Sequence, residues 1–479
     1  MKRYLFSFFS FLFIFSSFPI NAQESVKNNE KKVCVSHLKN EIESIINQPS
    51  RQQESWGILI ESIKNNQVLY QLNSNKYFIP ASNAKLLTTS AVLLKLGSDF
   101  TIKTPVYIEG KPPKLNSLII QGKGDPTFTK KSLEIIAQKL KEEGIKEVDN
   151  LVLIDGYLSS PSTNYSWEFE DIYFYFAVPV NSLILEENTV NLTLNPNNLN
   201  EKVSLKWSDE LAGKQWKIEN NVYTKDKDKE DNIIISPLFA KSSLEIKGDL
   251  PIDKESNIWR LSILNPAQYF QESLVKILNN NGISIKNTEI INGKNIISNN
   301  QQLLLEIKSP NLAELIKETN QESNNLYAEV LLKYLGDESL NEWESLAQIM
   351  TNLGISPNDY KLKDGSGLSR HNLITPQALV TLLKLMNNSK YQEIFLNSLS
   401  IAGENGTLKN RFQNTNIANN LYGKTGTLSG ISALSGYLKT DNYGNLVLTI
   451  MVNQSSANSG VLRNTIDEII LLLGQLNKC

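Results

Sequence analysis

The sequence is poor in the residues that build metal and redox sites. Its 479 residues include two cysteines, Cys34 and Cys479, and two histidines, His37 and His371. A zinc centre needs four such ligands at short spacings, and these are scattered along the chain, so no metal or cofactor is expected. A Ser-His-Asp triad is no better supplied. His37 sits near the start, His371 falls in a loop, and no Gly-x-Ser-x-Gly elbow occurs. An excess of one charge is also absent. The 48 basic and 50 acidic residues leave a net charge of -2, which favours neither nucleic acid nor any other polyanion as a partner. After the first turns of the chain, no apolar run is long enough to span a bilayer.

The one long apolar run opens the sequence. Lys2 and Arg3 precede Tyr4 to Phe18, almost all Phe, Leu, Ile and Ser, and Ile20-Asn21-Ala22 ends on a small residue. This is the pattern of a cleaved export signal over residues 1–22, and a periplasmic location is expected. In an oxidising compartment Cys34 and Cys479 could pair; the alternative is two exposed thiols.

Periodicity implies an α/β protein (α+β, multi-domain) with an interrupted core. A helix is expected over Val35 to Asn47, then a hairpin of Trp56 to Ser62 and Val68 to Leu72. A helix follows from Ser82 to Leu96, apolar on most of its circumference and stopped by Gly97. Short strands (Leu118 to Ile120, Leu151 to Ile154, Val190 to Leu194) and helices (Lys131 to Glu143, Pro266 to Asn279) fill the middle. Asp226 to Asp231 reads as a solvated loop. From Ser309 the chain reads as helical, until strands return over Gly430 to Lys439 and Leu446 to Val452 and a last helix runs from Gly460 to Leu473. The expected division is a discontinuous catalytic part, 23–97 with 301–479, and an insertion, 98–300. The insertion reads as two modules, with an α/β unit at about 112–183 nested in a β-rich one.

Three short motifs carry chemistry. Ser82 and Lys85 share a face of the first turn of the apolar helix, where a hydroxyl beside an amine can become a nucleophile. By spacing alone a capped helix is the better reading of the pair, and Ser36-His37-Leu38-Lys39 matches it too. Ser323-Asn324-Asn325 opens a helix, with Ser323 as an ordinary N-cap in the plain reading. Lys424-Thr425-Gly426-Thr427 stands at the start of a late strand, where small residues admit a ligand backbone and Lys424 adds positive charge.

Taken in order, Ser-x-x-Lys, Ser-x-Asn and Lys-Thr-Gly form the set of the penicillin-recognising serine enzymes. The sequence resembles the low-molecular-mass class C penicillin-binding proteins, serine D-alanyl-D-alanine carboxypeptidases and endopeptidases, over almost its whole length after the leader. The segments Gly122 to Thr127, Ala177 to Leu183, Asp364 to Arg370 and Ala402 to Leu408 share the likeness. The long insertion between Ser82 and Ser323 separates this family from the β-lactamases. Two positions depart from its pattern: Asn324, where Asp is frequent, and Lys123, where a smaller residue is usual.

The resemblance implies an antiparallel sheet with flanking helices, and roles for the motif residues. Ser82 would attack the carbonyl between two D-alanines, or a β-lactam, and Lys85, neutral when it acts, would take the proton. Lys424 and partial burial would lower the Lys85 pKa. Ser323 and Asn325 would relay the leaving-group proton and position the substrate amide. Lys424, Thr425, Gly426 and Thr427 would bind the terminal carboxylate, and the N–H groups of Ser82 and Thr427 would form the oxyanion hole. Glu168, Glu170 or Asp171 would read the amine of a peptidoglycan stem peptide, or else form a solvated loop. Cys34 and Cys479 should be neighbours. The implied substrates are peptidoglycan stem peptides, with β-lactams as inhibitors. A β-lactamase or esterase on the same scaffold, or a non-catalytic peptidoglycan-binding protein, would carry similar motifs.

Overall fold

The computed structural model describes residues 33–158, 162–238, 243–293, 298 and 300–479; the expected leader over 1–22 lies outside them. Its centre is a six-stranded antiparallel sheet. The order is Ser400–Ile401, Leu421–Leu428, Ile431–Thr440, Gly444–Asn453, Ser55–Ser62 and Val68–Leu72. Strands after the long insertion thus pair directly with strands before it. Both faces are covered, which is why the central strands read as nearly unbroken apolar runs. Trp56, Ile58, Ile60, Leu434 and Ile450 face the helices Val35–Ile46 and Ser459–Gly474. The alternate residues Leu59, Ala433, Tyr437 and Met451 face the opposite layer, which holds Lys85–Leu96 and Pro376–Asn387.

The Lys85–Leu96 helix is buried from Lys85 to Leu93, in keeping with its apolar circumference. Its start differs from expectation. Ala81 has φ +46, a left-handed conformation that ordinary residues rarely adopt, and Ala81–Ala84 forms a 3-10 turn. The α-helix proper begins at Lys85, so Ser82 stands on the turn ahead of the helix and does not cap it. Gly97, at φ +79, ends the helix as its position predicts.

The middle of the chain forms a five-stranded sheet ordered Ser284–Ile291, Glu147–Ile154, Lys114–Gln121, Thr101–Lys111 and Gln302–Asn311. Helices Lys130–Glu142 and Pro266–Asn280 bury Leu133, Ile136, Phe270 and Leu274 in its core. Two three-stranded sheets complete this half, built from strands between Thr189 and Ser262. Strand pairing reverses the expected nesting. The two small sheets lie, in chain order, between the strands Glu147–Ile154 and Ser284–Ile291 of the larger one. Gln302–Asn311 is its edge strand, paired with Thr101–Lys111, and it delays the helix expected from Ser309 to Leu312–Gln321. Among the described residues, no helix is long and apolar enough to cross a membrane.

The chain ends meet. Val33–Cys34 pairs in parallel with Leu476–Asn477, and Cys34 is bonded to Cys479 with Cα atoms 5.4 Å apart. The crosslink closes a separation of 445 residues and so restricts the unfolded chain. Cys34→Ser should lower stability by about 2–4 kcal/mol, read by denaturant unfolding of the oxidised protein. Thiol labelling of unreduced wild-type protein should modify neither cysteine.

Candidate active site

The turn that carries Ser82 is clamped from three sides. Asn453 Oδ1 accepts from the Ile79 N–H at 2.7 Å, and its amide donates to the Ile79 carbonyl at 3.2 Å. Gly426 lies against the turn, and a Cβ there would stand 2.7 Å from the Pro80 oxygen. Gly367, at φ +85, covers the next carbonyl; a Cβ there would come within 1.9 Å of the Ala81 oxygen. Two glycines therefore let a strand and a loop close on the strained backbone beside Ser82.

Lys85 is fully buried. Its ammonium donates to Ser82 Oγ at 3.0 Å, Asn325 Oδ1 at 2.6 Å and the Ser366 carbonyl at 2.6 Å. Burial lowers its pKa to about 7, and the Asp364 and Glu329 carboxylates offset part of that effect. Desolvation is the main cause at Lys85, and its burial is complete where partial burial was expected. Lys424, also fully buried, is held well below the ordinary lysine range by burial first and by Lys85 second.

Ser323 and Asn325 converge on the same point. Ser323 has φ +59 and is not the N-cap; that role falls to Asn324, whose Oδ1 accepts from the Tyr327 N–H of helix Asn325–Lys333. The left-handed turn frees the Ser323 hydroxyl to accept from Lys424 Nζ at 2.8 Å. Asn325 completes its amide by donating to the Phe176 carbonyl at 2.7 Å. Asn324, the departure from the usual Asp, donates to Glu187 at 3.1 Å, where a second carboxylate would be repelled.

Lys424 to Thr427 lie on a strand of their own, Leu421–Leu428, which turns at Ser429-Gly430 and pairs antiparallel with Ile431–Thr440. They are not the opening of the following strand. Lys424 and its register partner Ser435 are buried, while Thr425 reaches Thr407 Oγ1 at 2.7 Å. A cleft of about 740 Å³ opens over this assembly, lined by Ser82, Ser323, Asn325, Thr407, Thr427 and Arg370 among others. Glu168 and Asp171 also border it; Glu168 is engaged by Arg370 at 3.0 Å, and burial raises the Asp171 pKa.

Several residues of this site have no counterpart in the motif reading. Glu329 Oε1 accepts from the N–H groups of Gly365 and Ser366 at 2.9 and 2.8 Å. Burial and the nearby Asp364 push the Glu329 pKa up to about 7. Thr88 donates to the Gly365 carbonyl at 2.9 Å. The sequence did hold a signal for Glu329: it is the lone acid on an apolar helix, one turn after Asn325 and so on the same face. His371 borders a separate cleft with Lys363 and Trp343, away from Ser82.

A serine open to a cleft beside a fully buried lysine, between a sheet and a helical layer, with Ser-x-Asn and Lys-Thr-Gly on either side, defines the class of penicillin-binding serine peptidases. Residues 38–476 match the D-Ala-D-Ala carboxypeptidase 3 (S13) family, and the chain belongs to it. It is a serine peptidase. The chain is 29% identical over 480 residues to "Penicillin-sensitive carboxypeptidase A" of Dictyostelium discoideum, covering 90% of each. It is 26% identical to a D-alanyl-D-alanine carboxypeptidase of an Actinomadura species, covering 88% of this chain and 82% of the relative. Penicillin binding protein 4 of Haemophilus influenzae shares the fold at a TM-score of 0.79 and 23% identity, over 92% of this chain and 98% of that one.

Glu329→Ala should cost about 3 kcal/mol of stability, because two buried N–H groups lose their acceptor. Glu329→Gln keeps one acceptor oxygen and should lose less, which paired unfolding curves would show.

Proposed function

We propose that this protein is an exported, periplasmic serine D-Ala-D-Ala carboxypeptidase and endopeptidase that acts on peptidoglycan stem peptides through an acyl-enzyme on Ser82, and that β-lactams acylate the same serine. The observation that carries the reading is Lys85 Nζ, buried, 3.0 Å from Ser82 Oγ and lowered to about 7. A lysine so placed is a base within reach of the proton it must take. The family membership and the penicillin named in its relatives support the substrate class.

In the proposed sequence Ser82 Oγ attacks the carbonyl carbon and its proton passes to Lys85. The tetrahedral oxyanion lies between the Ser82 and Thr427 N–H groups, each such donor being worth about 3 kcal/mol. The C–N bond breaks as the leaving amine takes that proton, passed on from Lys85 by way of Ser323, which leaves Lys85 neutral. Water then attacks the ester carbonyl and gives a proton to Lys85, which returns it to Ser82 Oγ as the acyl–oxygen bond breaks and the product leaves as a free acid. Asn325 holds both Lys85 and the substrate amide; Lys424, Thr425, Gly426 and Thr427 line the carboxylate position. Of the three acids open in the sequence, Glu168 and Asp171 border the cleft, and Glu168 is already paired with Arg370. Asp171 is therefore assigned to a cationic amine on the stem peptide. We take 23–97 with 301–479 as the catalytic part and 98–300 as the insertion, save that strand Gln302–Asn311 goes with the insertion's sheet, and with the nesting described above.

Intact-mass measurement with a labelled penicillin tests the reading. A lasting single adduct that disappears in Ser82→Ala supports it; fast turnover without an adduct indicates a lactamase, and no reaction a binding protein. The acylation rate should rise with pH through about 7 and then level, since neutral Lys85 is the active form. Asp171→Asn should slow hydrolysis of stem peptides that carry a free side-chain amine about tenfold, the scale of one charge-assisted contact, while penicillin acylation stays near wild type.

A further inference from the structure

The loop from Asn164 to Ala177 belongs to the insertion, outside all three motifs, yet it is tied to the catalytic site. Asn164 donates to the Lys363 carbonyl at 2.6 Å, and Phe176 accepts from Asn325 at 2.7 Å. Between these ties Trp167 is buried at 8% exposure, packed with Ala177 and Leu368 and bordered by Ile172, Phe176 and Leu428. Its indole N–H donates to Asp364 Oδ2 at 2.9 Å.

Asp364 is completely buried, and its carboxylate organises a tight turn. Oδ1 accepts from the Gly367 N–H at 2.8 Å and from Asn372 at 2.7 Å; Oδ2 accepts from the Ser369 N–H at 2.6 Å and from Trp167. Trp167 is the donor in this group that comes from a distant part of the chain. Within the turn, Ser366 presents its carbonyl to Lys85 Nζ at 2.6 Å, and Gly367 seats against the Ala81 carbonyl beside Ser82. A buried carboxylate that loses one of two donors at an oxygen has no solvent to replace it, and its turn shifts. The chain of contacts therefore runs from the indole, through Asp364, to the atoms that aim Lys85 at Ser82.

We infer that Trp167 is a positioning residue for the catalytic lysine, and that the insertion loop braces the active site by holding Asp364 and, through it, the Ser366 carbonyl. The inference rests on the reading of Lys85 as the base. It assigns the insertion a part in the chemistry besides any part in substrate binding. Small displacements of a reacting group reduce rates steeply, so loss of the indole donor should slow acylation about 10- to 100-fold. The Ser366 carbonyl favours the charged form of Lys85, so loosening it should move the acid limb of the pH–rate profile to lower pH.

The test is the second-order rate of Ser82 acylation by a fluorescent penicillin across pH 5 to 9, for wild type, Trp167→Phe and Lys85→Met. The expected result is a 10- to 100-fold slower Trp167→Phe enzyme whose acid limb lies below that of wild type. A benzothiophene analogue of tryptophan at position 167, which keeps ring size and replaces N–H by sulfur, should behave the same way. It answers the question even if Trp167→Phe fails to fold. A wild-type rate in the analogue, or a lower rate with an unmoved limb, overturns the positioning role and leaves only packing. If Lys85→Met acylates as fast as wild type, the base assignment itself falls; if it does not react while the analogue reacts normally, only the Trp167 inference falls.

Discussion

The structure turns on one buried ammonium group. Lys85 lies in a layer of aliphatic side chains, and its Nζ reaches Ser82, Asn325 and Ser366. Lowering a lysine from 10.5 to about 7 corresponds to a cost of about 5 kcal/mol for keeping it charged in the fold. The folded protein sheds this proton near pH 7 while the unfolded chain keeps it to about 10.5, so stability from this group rises with pH across that window and carries its full penalty below it. A fold that bears such a cost in its core must recover it from packing elsewhere. The doubly covered six-stranded sheet provides that packing.

Around Lys85 the chain gathers segments remote in sequence. The serine turn and the lysine come from before the insertion, Ser323 and Asn325 from after it, Lys424 from a late strand and the Phe176 carbonyl from the insertion itself. Each is held by a local device: a left-handed residue at Ala81 and at Ser323, and a glycine at 367 and at 426 where backbones nearly touch. Strain of this kind persists only where the surrounding structure leaves no alternative. Its concentration beside the reactive hydroxyl accords with a site made rigid before substrate arrives.

Much of this was legible in the sequence because motif chemistry is local. Ser-x-x-Lys, Ser-x-Asn and Lys-Thr-Gly are short, and the α-helix and strand periods place their residues on shared faces. Gly97 marks a helix end that the structure retains. The exact backbone at the motifs was not legible. Ser82 and Ser323 both read as N-caps, yet tertiary contacts force left-handed turns that point each hydroxyl at a lysine instead. The nesting of the insertion was hidden because Glu147–Ile154 and Ser284–Ile291 pair across the two small sheets that separate them in the chain, and no local pattern records such a partner. Glu329 lies outside every motif and is marked only as the lone acid on an apolar helix, while Asp364 falls in a segment of family likeness whose task, holding a turn by its N–H groups, has no side-chain signature.

Direct titration of Lys85 tests the central claim most closely. Protein carrying 13C-labelled lysine, with Ser82→Ala to remove reaction and a Ser82→Ala, Lys85→Met spectrum to assign the signal, would report the Lys85 Cε shift as pH is varied. A midpoint near 7 is the predicted result. A lysine that stays charged beyond pH 9 could not serve as the base at neutral pH, and that result would contradict the account.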